Sequence, residues 1–190
     1  MGTNRLEAFS DGVIAVIITI MVLELKAPRD TTLAALRAVL PQFLSYFLSF
    51  LVVAIMWVNH HRLLHSARRA DARLLWSNNL LLFWMSLVPF VTAFMGNSHR
   101  DPHAVALYGV VLSLCSVSFV VLRWAIIQHY RDNPEMSSYH RHGAFKNVYS
   151  LLLYLASIPL AFVDVRVSFF IFVFVALSYF VPERKLVERA

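Results

Sequence analysis

Long apolar stretches alternate along the chain with short connections that carry most of its charge. Six stretches are long enough, or nearly so, to cross a bilayer as helices: 8–25, 41–64, 74–95, 104–129, 144–163 and 167–181. The measure is a hydrocarbon core of about 30 Å, which needs about 20 helical residues at a rise of about 1.5 Å each. The sixth stretch is short and reads as the second arm of a hairpin with the fifth, turned by Asp164-Val165-Arg166. Residues 32–40 read as a brief amphipathic helix leading into Pro41, a residue suited to a first helical position. Pro89 and Pro159 are expected to kink their helices, because each removes a backbone donor and frees a carbonyl. Residues 13–23, with Arg5 upstream, have the look of a signal-peptide core, but no small-x-small cleavage site follows. They read as an uncleaved first span. With no internal repeat, low-complexity tract or separate soluble segment, the pattern predicts one unit over 1–190: an all-α integral membrane protein of six transmembrane helices.

Composition agrees with that class. Hydrophobic residues make up 59% of the chain and charged ones 15%, with a mean hydropathy of +0.64; a soluble domain carries roughly 25% charged residues. The net charge of +6 invites nucleic acid as a partner, but the basic residues flank the apolar spans, where they act as topology signals. No nucleic acid is expected. Eleven Lys and Arg fall in the terminal and connecting segments that share a side with the amino end: Arg5, the group from Arg62 to Arg73, then Arg131, Arg141, Lys146, Arg184, Lys185 and Arg189. Five fall on the other side: Lys26, Arg29, Arg37, Arg100 and Arg166. The positive-inside rule then puts both termini in the cytoplasm. Cys115 stands alone in an apolar run, so there is neither a disulfide framework nor a CxxC metal pair.

The most informative segment opens the first span, from Arg5 through Phe9-Ser10-Asp11-Gly12 to Leu23. An ionisable group within a membrane helix is a functional-site hypothesis by default. Asp11 also lies about one turn in, where the positive end of the helix dipole favours a carboxylate; on the physics alone both readings stay open. At about 100° per residue, Phe9, Gly12, Val13, Val16, Thr19, Ile20 and Leu23 share one face, and Ser10 and Asp11 point away from it. Thr19 is the single hydroxyl on that apolar face. Such a threonine commonly satisfies itself on the carbonyl four residues back.

Arg5, then Phe9-Ser10-Asp11-Gly12-Val13, then Ala15 and Thr19 with an apolar end, resembles the first-helix signature of the endosomal and lysosomal potassium-channel family (transmembrane protein 175), in its bacterial branch. The resemblance continues through Trp57-Val58-Asn59-His60-His61, through Asn79 to Phe83, and through Leu87-Val88-Pro89-Phe90. It implies a homotetrameric potassium-permeable channel in a lipid bilayer, with each first helix lining the pore. Carried onto this sequence, Val16, Ile20 and Leu23 become pore-lining or gate positions and Thr19 the selectivity position. Val16 is smaller than the residue often found there, which points to Leu23 as the narrower collar. Arg5, Phe9, Ser10, Asp11, Trp57, His60, His61 and Asn79 become signature and support residues. Ser10 and Asp11, His60 and His61, and Asn78 and Asn79 should share one membrane depth, so Ser10 and Asp11 are expected to bond a histidine of the second helix and an asparagine of the third, with Arg5 balancing Asp11. Potassium is then the permeant ion, no cofactor is implied, and a single six-helix unit fits a prokaryotic plasma membrane.

Two other classes compete. His60, His61 and His65, with His129, His140 and His142, suggest a membrane di-iron enzyme, but such a centre needs repeated close histidine spacings converging on two metals, and these are lacking. A proton- or metal-coupled transporter is the alternative for an Asp11–histidine pair, since histidine titrates near neutrality. Transporters place coupling carboxylates near the midplane, where this chain has none. There is no GxGxxG, Walker or Ser-His-Asp pattern and no TVGYG filter, so no enzyme is expected.

Overall fold

The computed structural model describes residues 3–67, 69–130 and 134–180, without the side chains of 130–144. Arg68, Arg131, Arg184, Lys185 and Arg189, counted above for orientation, lie outside the described residues, as does the end of the sixth stretch at Val181; so do the side chains of His140, Arg141 and His142.

Every described element is helical: α1 Thr3–Leu23, α2 Leu33–His65, α3 Ala72–Ser86, α4 Val88–Asn97, α5 Pro102–Ile127, α6 Pro134–Ala161 and α7 Val165–Ser178, with a 3-10 turn at Gln128–Tyr130 after α5. Helices α3 and α4 are two halves of the third span, so the chain has the six expected spans. Four are long and apolar enough to cross a membrane by themselves. The apolar part of α6 (Phe145–Ala161) and α7 are shorter and form the expected hairpin.

The connections hold the residues that start helices. Thr32, Asp71, Asp101 and Asp164 stand at N-caps, each side chain accepting a backbone N–H of the first turn, such as Leu74 N to Asp71 Oδ1 at 2.9 Å. These bonds satisfy donors that would otherwise be orphaned at the helix start. Asp71 also bonds His129 Nε2 at 3.0 Å, tying the end of α5 to the start of α3. The Leu74 amide first, and the His129 side chain next, hold the Asp71 carboxyl below the usual carboxylate range.

Proline behaves differently at positions 41, 89 and 159. Pro89 breaks the third span: α3 ends at Ser86, Leu87 caps both halves, and Pro89 sits in the first turn of α4, where a missing N–H costs nothing. Pro159 lies within α6, two residues before its end. Pro41 departs from expectation. Instead of opening the second span it sits inside α2, which runs unbroken from Leu33 and absorbs the predicted short helix. The carbonyl it frees is that of Arg37, in a stretch whose residues are largely exposed, so the lost bond falls where it is least costly.

Helix α5 forms the centre, with 67% of its apolar window buried against 28% for α1. Hydroxyls stitch the bundle together: those of Ser49 on α2 and Tyr108 on α5 lie 3.0 Å apart, and Thr92 on α4 reaches Ser49 at 2.8 Å. Ser168 of α7 donates to the Ser157 carbonyl of α6 at 2.7 Å. Such bonds matter because a buried polar group in hydrocarbon has no water to fall back on. Small residues let α5 and α6 approach closely. A Cβ added at Gly109 would come 2.7 Å from Ser157 Oγ and 3.3 Å from Ile158.

Gly109→Val is therefore expected to destabilise the folded protein by about 1–3 kcal/mol, the usual cost of overpacking, read as a lowered Tm in detergent.

Candidate functional site

The first helix has two unlike faces. Leu6, Ser10, Ile14, Ile17 and Met21 recur at helical spacing and are buried against the rest of the chain. Phe9, Val16, Thr19, Ile20 and Leu23 lie on the other side and are exposed, Val16 by 54% and Leu23 by 76%. This bare face is the one the periodicity of the sequence groups together. It borders an open groove of about 730 Å³ between α1 and α4, lined by Gly12, Val16, Ile20 and Glu24 from α1 and by Pro89 and Phe90 from α4. Thr19 Oγ1 donates back to its own helix, 2.9 Å from the Val16 carbonyl and 3.1 Å from that of Ala15. The hydroxyl hydrogen is thereby turned inward and the oxygen lone pairs are left toward the bare face.

At the amino-terminal end of α1 a chain of buried polar groups joins three helices. Ser10 donates to the Leu6 carbonyl at 2.8 Å and accepts from Asn78 Nδ2 at 2.9 Å. Asn78 Oδ1 lies 2.7 Å from His60 Nε2. Ser10, Asn78 and His60 have no solvent exposure in the subunit. Since Ser10 takes the amide N–H of Asn78, its carbonyl oxygen faces the imidazole, and His60 carries its proton on Nε2 in this arrangement. A second layer lies closer to the surface: Trp57 Nε1 donates to Asp11 Oδ1 at 2.8 Å, and His61 Nδ1 meets Glu7 Oε1 at 2.7 Å. Residue 7 against 61 and residue 11 against 57 is the register of two antiparallel helices. Trp57, His61 and His65 follow one another along α2, with ring centroids 6.0 and 6.2 Å apart, the first pair tilted and the second stacked.

Several predicted support residues sit differently from their expected roles. Asn79 is exposed and takes no part in the chain; the asparagine that does is Asn78, which shares the buried face of α3 with Leu74, Leu81, Leu82 and Met85. Asp11 is half-buried and bonds the Trp57 indole rather than a histidine. Arg5 is exposed and makes no ion pair with Asp11, whose carboxyl oxygen accepts the indole N–H instead. Phe9 is 57% exposed and belongs to the bare face. Glu7 went unnoticed in the sequence, although Glu7 and Asp11 share the i, i+4 spacing of Trp57 and His61. Among the described residues, no group of three His, Cys, Asp or Glu is placed to hold a metal ion.

The helix arrangement has solved counterparts. It matches the crystal structure of a lysosomal potassium-selective channel TMEM175 homolog from Chamaesiphon minutus with a TM-score of 0.79 and 29% identity, covering 93% of this chain and 95% of that one. The potassium channel MtTMEM175, solved as a variant with a nanobody fusion, shares the fold at a TM-score of 0.68 and 17% identity. The fold, with the relatives that follow, marks a membrane channel protein. The family model described as endosomal/lysosomal potassium channel TMEM175 matches residues 5–89, which include α1 and the whole polar chain. A potassium channel from Chryseobacterium sp. (strain P1-3) is 39% identical over 98% of this chain and 96% of its own length. One from Chamaesiphon minutus is 32% identical over 87% of each. The chain belongs to the TMEM175 family.

The two neighbouring asparagines give a sharp contrast. Asn78→Ala leaves buried His60 without its partner and is expected to cost about 1–3 kcal/mol, whereas Asn79→Ala is expected to stay within about 0.5 kcal/mol of the parent, as surface changes do. Thermal unfolding of the two variants in the same detergent checks this.

Proposed function

We propose that the protein is a potassium-permeable cation channel, a homotetramer in which the bare face of α1 from each subunit lines a central pore. The observation that carries this reading is the unpartnered row Val16, Thr19, Ile20 and Leu23 on a helix whose other face is locked into its own subunit. The relatives described above, which are named potassium channels, support the choice of ion.

Around a four-fold axis, Val16 and Leu23 form apolar collars that close the path by excluding water, with Ile20 beside them; Leu23 makes the tighter collar. Four Thr19 hydroxyls form a ring of neutral oxygens that replaces part of an ion's hydration shell. Potassium surrenders water more readily than sodium, so an incomplete ring favours it modestly, without the stringency of a full carbonyl filter. The channel needs no cofactor. Ser10, Asp11, Trp57, His60, His61 and Asn78 hold the pore helix at a fixed rotation and do not touch the ion. The excess of Lys and Arg on one side of the spans supports cytoplasmic termini, and the single six-helix unit, like the bacterial relatives, supports a prokaryotic plasma membrane. A coupled transporter is the weaker reading, because no Asp or Glu stands in the middle of any span and Asp11 is engaged by an indole.

Reversal potentials under opposed potassium and sodium gradients test the hydroxyl ring. Thr19→Ala should still conduct, with its potassium preference reduced toward unity; an unchanged preference rules the ring out. Asp11→Asn should lower the number of assembled or open channels and leave the ion preference as it was.

A further inference from the structure

Between α2 and α7 lies a second groove, about 580 Å³ in volume and remote from the α1–α4 groove in its lining. That volume falls in the range of about 300–1,000 Å³ typical of sites for small organic ligands. Its walls are apolar along their length: Leu44, Phe47 and Leu51 of α2 face Phe169, Val173 and Leu177 of α7. At one end stand two basic side chains, Arg37 of α2 and His99 of the α4–α5 connection, and the lining contains no carboxylate.

Length and chemistry together identify an occupant. From Arg37 to Leu51 the helix advances about 21 Å at about 1.5 Å per residue. Half of a core of about 30 Å plus one headgroup layer comes to about 20–22 Å, the depth of a single leaflet. The groove thus runs from headgroup level to about the bilayer midplane, with its one guanidinium and its one imidazole at the headgroup end. A guanidinium is matched to phosphate oxygens in geometry as well as charge. We propose that this groove is a binding site for an anionic glycerophospholipid, one acyl chain lying between α2 and α7 and the phosphate held by Arg37 and His99. The orientation given under Proposed function decides only which leaflet supplies the lipid, here the outer one; the site itself stands whether or not Thr19 selects ions.

The test uses the full chain purified in detergent, with Tm followed as lipid is added back. Phosphatidylglycerol should raise the Tm by several degrees more than phosphatidylcholine of the same acyl chains, and glycerol phosphate, the headgroup without chains, should do nothing. Arg37→Gln combined with His99→Gln should abolish the difference between the two lipids. Leu44→Trp fills the groove at a position already 55% exposed, so it should fold normally and lose the response to both lipids. Persistence of the phosphatidylglycerol preference in the double variant, or a full effect from glycerol phosphate alone, overturns the proposal. So does cross-linking of subunits through Val173→Cys, which would put a second copy of the chain in the groove. Potassium currents recorded from the same preparations report separately on the pore.

Discussion

In a bilayer, apolar packing says little about how a helix should be rotated, because lipid tails are as apolar as the leucines they would replace. Directional bonds must therefore set the rotation of α1, and the chain Ser10–Asn78–His60 supplies them. Each bond is worth only about 0.6–2 kcal/mol in a membrane, yet breaking the chain leaves a buried polar group without its partner, at about 1–3 kcal/mol. One rotation is thus strongly preferred. Thr19 lies nine residues beyond Ser10, and at about 100° per residue that is half a turn around the helix. Fixing Ser10 inward fixes Thr19 outward, and Val16 and Leu23 follow on the same side.

The outer layer adds register to rotation. Asp11 with Trp57 and Glu7 with His61 pair successive turns of α1 and α2, so a slip of one helix along the other would break both contacts together. These groups are partly exposed, and their pairing is correspondingly weaker than that of the buried chain. The division of labour is plain: the buried chain chooses the face that α1 turns inward, and the partly exposed pairs Asp11–Trp57 and Glu7–His61 choose its height. The bare face takes part in neither set of bonds.

Much of this was legible in the sequence because periodicity and punctuation survive folding. The bare face of α1 follows from spacing, the six spans from length, and the break at Pro89 from its missing donor. Other features depend on facts that no local pattern carries. Asn78 and Asn79 are chemically identical neighbours, and only the buried run Leu74, Leu81, Leu82 and Met85 shows which of them faces inward. The donor to Asp11 is an indole from a different helix; shared membrane depth pointed to a histidine and charge to Arg5, and neither argument tells which donor on α2 reaches the carboxylate. Pro41 is tolerated inside α2 because the carbonyl it frees lies in an exposed turn, a property of the assembled subunit rather than of residues 33–41.

Cysteine accessibility along α1 tests the central claim most directly, and buried Cys115 leaves little background reactivity. Single cysteines at Val16, Thr19 and Leu23 should react with a charged, water-soluble thiol reagent and lose current as they do, while cysteines at Ile14, Ile17 and Met21 should not respond. Block that follows the second set, or currents untouched by modification at the first, would contradict a pore lined by the bare face of α1.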